Sequence, residues 1–89
     1  MKKIAVLVRD RQSEALRMSI GLTLMDDKVD IFVLDRRLGD TNDIKFNLEM
    51  INEMGLKMYT NIIENEGIDC ISTKQLANKL LEYDIVLPY

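Results

Sequence analysis

Two continuous apolar runs constrain the fold of this chain most strongly. Lys3–Val8 (KIAVLV) and Val29–Asp35 (VDIFVLD) are rich in branched side chains and are apolar at nearly every position. Such runs are typical of parallel strands that are buried on both faces of a sheet, whereas half-exposed antiparallel strands alternate apolar and polar residues. Between them, Gln12–Asp27 carries apolar residues at helical spacing. The sequence therefore predicts a strand, a helix and a second parallel strand.

The rest of the chain continues this alternation of strands and helices. The remaining predicted elements are, in chain order, a helix over Asp43–Met54, a strand over Leu56–Tyr59, one or two helical turns over Asn61–Glu66, an ambiguous segment over Ile68–Ile71, a helix that begins after Ser72 and a strand over Ile85–Leu87. Asp40 or Thr41 can cap the second helix, and Gly55 suits its left-handed end. Ser72 and Gln75 match a capping box at the start of the third helix.

Together these elements predict one α/β domain over residues 1–89. We expect a small three-layer α/β/α domain whose mainly parallel sheet has four to five strands in a flavodoxin-like arrangement. Pro88 removes a hydrogen-bond donor, so the last strand should lie at an edge or end there. Ligands of such sheets bind beyond the carboxyl ends of the strands. Those ends are predicted at Arg9–Ser13, Asp35–Leu38 and Tyr59–Asn61.

Composition excludes several classes of function. The 89 residues contain no histidine and one cysteine, which excludes a Ser-His-Asp triad, a histidine-ligated metal site and an internal disulfide. The net charge of −3 is unsuited to nucleic acid. No apolar run approaches the roughly 18–20 residues of a membrane span, and the run that ends at Val8 is too short for a signal peptide. We expect no metal, no cofactor, no nucleic-acid or membrane partner, and a cytoplasmic protein.

The predicted carboxyl edge of the sheet gathers polar candidates for an anion or nucleotide site. They are Arg9, Arg11, Ser13, Arg36, Arg37 and Tyr59. Guanidinium groups suit oxyanions, and the amides that open the first helix could add donors. The alternative is that nearby aspartates neutralise these arginines in solvated pairs. Ser13 has no base to activate it, and Tyr59 could equally close the core with its hydroxyl in water.

Cys70 is the candidate catalytic residue, as a persulfide carrier or redox thiol. It precedes the Ser72 cap by two residues, and Lys74 is near in the chain, so the start of a helix and a cation could lower the pKa of the thiol. The alternative, which the sequence favours, is a small buried apolar residue between Ile68 and Ile71.

The first helix is apolar on two sides. One stripe joins Ala15, Met18, Leu22 and Met25, and a second joins Leu16, Ile20 and Leu24. A helix with two apolar sides has two surfaces to pack against, of which one is its own sheet and the other could be a second subunit. Because a domain of this size has a thin stability margin, the pattern favours assembly into an oligomer.

Several segments carry a family resemblance. Three stretches carry it: the ending Leu81–Tyr89 (LEYDIVLPY), the first helix and second strand at Ser13–Met18 and Val29–Leu34, and the third strand with the helical turn behind it, from Lys57–Asn61 through to Glu66–Ile68. In these segments the chain resembles the DsrE/DsrF/DsrH-like family of sulfur-relay proteins. The resemblance implies a small α/β fold, a homo-oligomer (dimer, trimer or hexamer) and a sulfur-relay protein as partner.

The resemblance also implies where a sulfur carrier would lie. Catalytic members of the family carry a persulfide on a cysteine just after the third strand, between Met58 and Asn61 here, where this chain has Tyr59 and Thr60. The chain is therefore more similar to the non-catalytic, DsrH-type partner subunit. The preferred hypothesis is an interaction subunit; the alternatives are a sulfur carrier that uses Cys70 and an anion- or nucleotide-binding module.

Overall fold

Strands and helices alternate along the chain, as the sequence predicts. The computed structural model describes residues 2–65 and 67–89, in which the elements are β1 (Lys3–Val8), α1 (Gln12–Leu24), β2 (Lys28–Val33), α2 (Asn42–Met54), β3 (Lys57–Thr60), β4 (Asp69–Cys70), α3 (Thr73–Leu80) and β5 (Ile85–Pro88). All pairs are parallel, and the strand order is β4-β3-β2-β1-β5. The predicted α/β class and its mainly parallel sheet are confirmed, and β5 lies at an edge, as Pro88 predicts.

The sheet is buried on both faces, which explains the continuous apolar runs. Along β1, Ile4, Val6 and Val8 contribute to one core cluster, to which α1 and α2 add Ala15, Leu16, Ile44 and Ile51. Ala5 and Leu7 point to the opposite face, where Leu76 of α3 completes the second cluster. Because consecutive residues of a strand point to opposite faces, a strand between two helical layers needs apolar residues at every position.

Local capping signals place two of the helices. The Thr41 hydroxyl accepts a hydrogen bond from the amide of Ile44 and opens α2, which ends at Gly55 with a φ of 75°. That left-handed φ suits glycine, which has no Cβ to clash. Ser72 and Gln75 form the predicted capping box at the start of α3, with bonds of 3.0 and 3.1 Å.

Three predicted elements differ from the observed ones by more than one residue at an end or in type. Helix α1 ends at Leu24 rather than Asp27, because Asp26 adopts a left-handed φ of 72° that breaks the helix. Strand β2 ends at Val33 rather than Asp35, which also has a positive φ of 66°. In the predicted helical turns over 61–66, residues 61–65 form turns and bends rather than a helix, and Glu66 lies outside the described residues. Asparagine side chains there bond to a neighbouring loop, which competes with helix formation.

Candidate functional site

The carboxyl ends of β1 and β2 meet in two crossed ion pairs. Arg9, which follows β1, bonds through Nε to Asp35 Oδ2 beyond β2 at 2.9 Å. Arg36, which also lies beyond β2, bonds through Nε to Asp10 Oδ1 beyond β1 at 2.7 Å. The predicted edge therefore does bring Arg9 and Arg36 together, but each is paired with an aspartate from the other strand end.

Asp35 is held on a second side by Asn61. The Asn61 amide group donates to Asp35 Oδ1 at 3.0 Å, and Asn61 Oδ1 accepts from the Asp35 backbone amide at 2.8 Å. The hydrogen bond from Asn61, followed by the bond from Arg9, lowers the pKa of Asp35 below its ordinary value of 3.8. Asp35 is therefore fully ionised near neutral pH, and it already neutralises the guanidinium that an anion would need.

The loop from Asp35 to Gly39 is fixed by two further carboxamides. Gln12 Nε2 donates to the Arg37 carbonyl at 2.9 Å, and Gln12 Oε1 accepts from the Gly39 amide at 2.8 Å. The buried Asn65 accepts from the Leu38 amide at 2.8 Å and donates to the Arg36 carbonyl at 3.1 Å. The sequence analysis missed both residues, because an isolated Asn or Gln near a strand end carries no local signal of its partner.

The amides that precede α1 are also occupied. The Tyr89 carbonyl oxygen accepts from the backbone amides of Asp10 and Arg11 at 3.3 and 3.2 Å. This contact joins the ends of β1 and β5, where the strand order changes direction. The Asp10 and Arg11 amides, just before the first turn of α1, therefore bond to the chain itself; the first-turn amides that the sequence analysis offered to an anion begin at Gln12.

The remaining predicted binding residues lie in different surroundings. Tyr59 packs on the α3 side of the sheet, stacked on Phe32 at 5.1 Å between ring centroids, with Lys79 Nζ 4.9 Å from its ring. Ser13 lies in the first turn of α1, where its carbonyl accepts from Asn47 Nδ2 at 3.4 Å. Arg11 Nη1 lies 4.0 Å from Glu14. The Arg37 side chain is exposed beside a hollow that Glu64 also lines.

Cys70 is exposed, contrary to the buried position that the sequence favours. It ends the two-residue edge strand β4, and it is paired in register with Thr60 at the end of β3. The neighbouring isoleucines take the inward positions instead: Ile68 packs against the cluster on the α1–α2 side, and Ile71 packs on the α3 side. The thiol therefore lies at the carboxyl edge of the sheet, next to the position after the third strand.

The outer side of α1 carries an open apolar surface. A depression of about 410 Å³ is lined by Glu14, Arg17, Met18, Gly21, Leu22 and Met25, which we call the α1 surface. Met25 is 75% exposed. The Tyr89 hydroxyl donates to Met18 Sδ at 2.7 Å, which ties this surface to the end of the β5 edge. Part of the predicted apolar stripe of α1 thus remains open in the single chain.

Comparisons with known proteins place this geometry in a known fold. No family model matches the chain, and no curated protein matches it. Among solved structures, the chain is similar to the YchN protein of E. coli, with 16% sequence identity, a TM-score of 0.79 and full coverage of both chains. The chain has the DsrE/DsrF-like fold. At 16% sequence identity, the similarity between this chain and YchN concerns the fold alone.

Two kinds of feature are absent from the described residues. Of the helices in residues 2–65 and 67–89, none has the length and apolar character that crossing a bilayer requires. Within the same part of the chain, no three acidic, cysteine or histidine side chains form a group that could hold a metal ion. The candidate functional features are therefore the crossed ion pairs, the exposed Cys70 and the α1 surface.

Proposed function

We propose that this protein is a small cytoplasmic, oligomeric interaction subunit of the DsrE-like kind, which serves intracellular sulfur transfer without a catalytic residue of its own. One contrast supports the proposal. The polar carboxyl edge is closed by the chain's own contacts, whereas the α1 surface is apolar and open. The family resemblance of the sequence supplies the link to sulfur transfer, and the DsrE/DsrF-like fold agrees with that resemblance.

The closed edge argues against small-molecule chemistry at the usual place for an α/β sheet. An anion there would have to compete with Asp35 for Arg9 and with Asp10 for Arg36, and both carboxylates belong to the chain and stay beside the arginines. Exposed ion pairs contribute little stability, but a competing anion gains equally little by replacing them. The loop that carries Arg36 is also fixed through Gln12 and Asn65, so it cannot easily rearrange around a ligand.

The mass of the protein in solution tests the proposal. The chain has a mass of 10.3 kDa, and we expect sedimentation equilibrium at micromolar concentration to give two, three or six times that value. Cys70→Ser is the control, because an exposed cysteine can join two chains through a disulfide and imitate assembly. The variant should keep the wild-type mass under reducing conditions. A monomer of about the chain mass at these concentrations would contradict the proposal.

A sulfur carrier is the second candidate, and the exposure of Cys70 favours it. In register Cys70 neighbours Thr60, beside the place where the family resemblance locates the carrier cysteine. In the expected step, the Cys70 thiolate attacks the terminal sulfur of a polysulfide. An S–S bond forms at Cys70, the next S–S bond breaks, and the shortened polysulfide leaves with the electron pair.

Mass spectrometry of the intact protein tests this second candidate. After exposure to polysulfide, the folded wild type should gain about 32 Da, the mass of one sulfur, and should lose it on treatment with dithiothreitol. Cys70→Ser should gain nothing. If the folded protein stays unmodified while the urea-unfolded protein gains the adduct, the structure does not present a reactive thiol and the carrier hypothesis is wrong.

A further inference from the structure

Gly21 is an unexpected residue in the middle of the exposed side of α1. Glycine is among the least favourable residues for a helix interior. A Cβ added at Gly21 would have no atom of the described residues within 4 Å, apart from its two neighbours in sequence and the backbone of its own helix. The φ angle of Gly21 is not in the left-handed region. Neither packing within the chain nor backbone conformation therefore explains the glycine. A remaining physical reason for glycine in a helix is the close approach of another backbone.

Gly21 leaves a gap in the surface of α1 that has a methionine on each side of it. Met18 and Met25 lie three residues before and four after Gly21, so they share its side of the helix. The Met18 sulfur is held by the Tyr89 hydroxyl at 2.7 Å, which limits the movement of its side chain. The α1 surface thus offers a half-buried methionine, fixed at its sulfur, next to a position with no side chain.

We infer that the α1 surface is the contact between two copies of this chain, in which two α1 helices cross antiparallel about a two-fold axis that passes between positions 18 and 21. The inference rests on the proposed function, because it names the surface and the partner through which the subunit assembles. Such an axis exchanges the two positions, so Met18 of each copy packs over Gly21 of the other. A two-fold contact requires this self-complementarity, since the same patch must serve both copies.

Size and charge also fit a second copy. A small specific interface buries about 600 Å² on each partner, which is roughly a tenth of the 5640 Å² that the chain exposes. Helix α1 has 13 residues and is about 20 Å long, enough for such a contact together with the adjoining end of β5. Glu14 and Arg17 at the rim carry opposite charges, so two identical surfaces do not repel one another. An apolar centre with a polar rim is the usual anatomy of an interface.

Substitution of Gly21 tests the inference through two readouts of opposite sign. Gly21→Ala should raise the urea midpoint of the dissociated subunit, because alanine is the better helix former and the added methyl group meets open space. The same variant should weaken self-association about 10- to 100-fold, since an extra methyl group overfills a close contact. Gly21→Leu should abolish assembly at micromolar concentration while its circular dichroism stays native.

Asn78→Ala serves as the matched control. Asn78 is exposed on α3, on the opposite side of the sheet, so the variant gains helix propensity without touching the α1 surface. It should self-associate like the wild type. If the wild type is an oligomer and both Gly21 variants keep its mass, the surface is wrongly assigned although the proposed function stands. If the wild type is itself a monomer, the inference and the oligomeric part of the proposed function fall together.

Discussion

Replacing Phe32 by alanine is expected to lower the free energy of unfolding by about 3–5 kcal/mol. Phe32 is fully buried in β2 on the α3 side of the sheet. Its ring stacks on Tyr59 at 5.1 Å and meets Tyr83 edge-on at 5.7 Å between centroids. The substitution removes both aromatic contacts and leaves a cavity between the sheet and α3, where Leu76 packs in the same cluster. Urea unfolding followed by far-UV circular dichroism measures the loss.

Phe46→Ala is the matched control for Phe32. The chain has two phenylalanines, and Phe46 on α2 is 62% exposed. Its replacement should change the free energy of unfolding by less than about 0.5 kcal/mol, as for most surface positions. Similar losses in the two variants would mean that the second core cluster does not stabilise the fold as the buried ring indicates. A domain of this kind has about 5–15 kcal/mol in total, so the predicted loss is a large share.

Features that depend on nearby residues could be predicted from the sequence. The continuous apolar runs of β1 and β2 follow from burial on both faces, and the capping residues of α2 and α3 act within three positions of Thr41 and Ser72. The end of α1 was placed too late, because the apolar and polar pattern continues to Asp27 while the left-handed Asp26 stops the helix. Backbone conformation of that kind leaves no trace in apolar spacing.

Features that depend on distant residues could be predicted only in part. The rule that parallel strands end at one edge of the sheet correctly predicts that Arg9 and Arg36 lie together. It does not predict which aspartate each arginine pairs with. Arg9 and Asp35 are 26 positions apart, and the pairing follows from the geometry of two loops. Cys70 was expected to be buried because its neighbours are apolar, yet those isoleucines occupy both inward faces and leave the thiol exposed.

Asn65→Ala is expected to cost about 2–3 kcal/mol, the largest effect of any polar substitution at the carboxyl edge. The Asn65 side chain is buried and makes hydrogen bonds with the Leu38 amide, the Arg36 carbonyl and Thr60 Oγ1. Alanine has no carboxamide, so all three groups lose their hydrogen bond to residue 65. Because Asn65 links the segment after β3 to the loop after β2, hydrogen exchange at the Leu38 amide should become faster than exchange within β1.

Two further variants test which hydrogen bond of Asn65 protects the Leu38 amide: Asn65→Asp removes the donor of the side chain, and Asn78→Ala is a surface control. The aspartate keeps an acceptor for the Leu38 amide but cannot donate to the Arg36 carbonyl, so Leu38 should remain better protected than in Asn65→Ala although stability still falls. Asn78→Ala, at an exposed position of α3, should leave Leu38 exchange unchanged. If Asn65→Ala unfolds at the wild-type urea concentration and Leu38 exchanges at the wild-type rate, Asn65 does not fix the loop. Gln12 and the crossed ion pairs would then be the contacts that hold the arginine-bearing edge, and Asn65 would no longer support the argument that this edge is closed to anions.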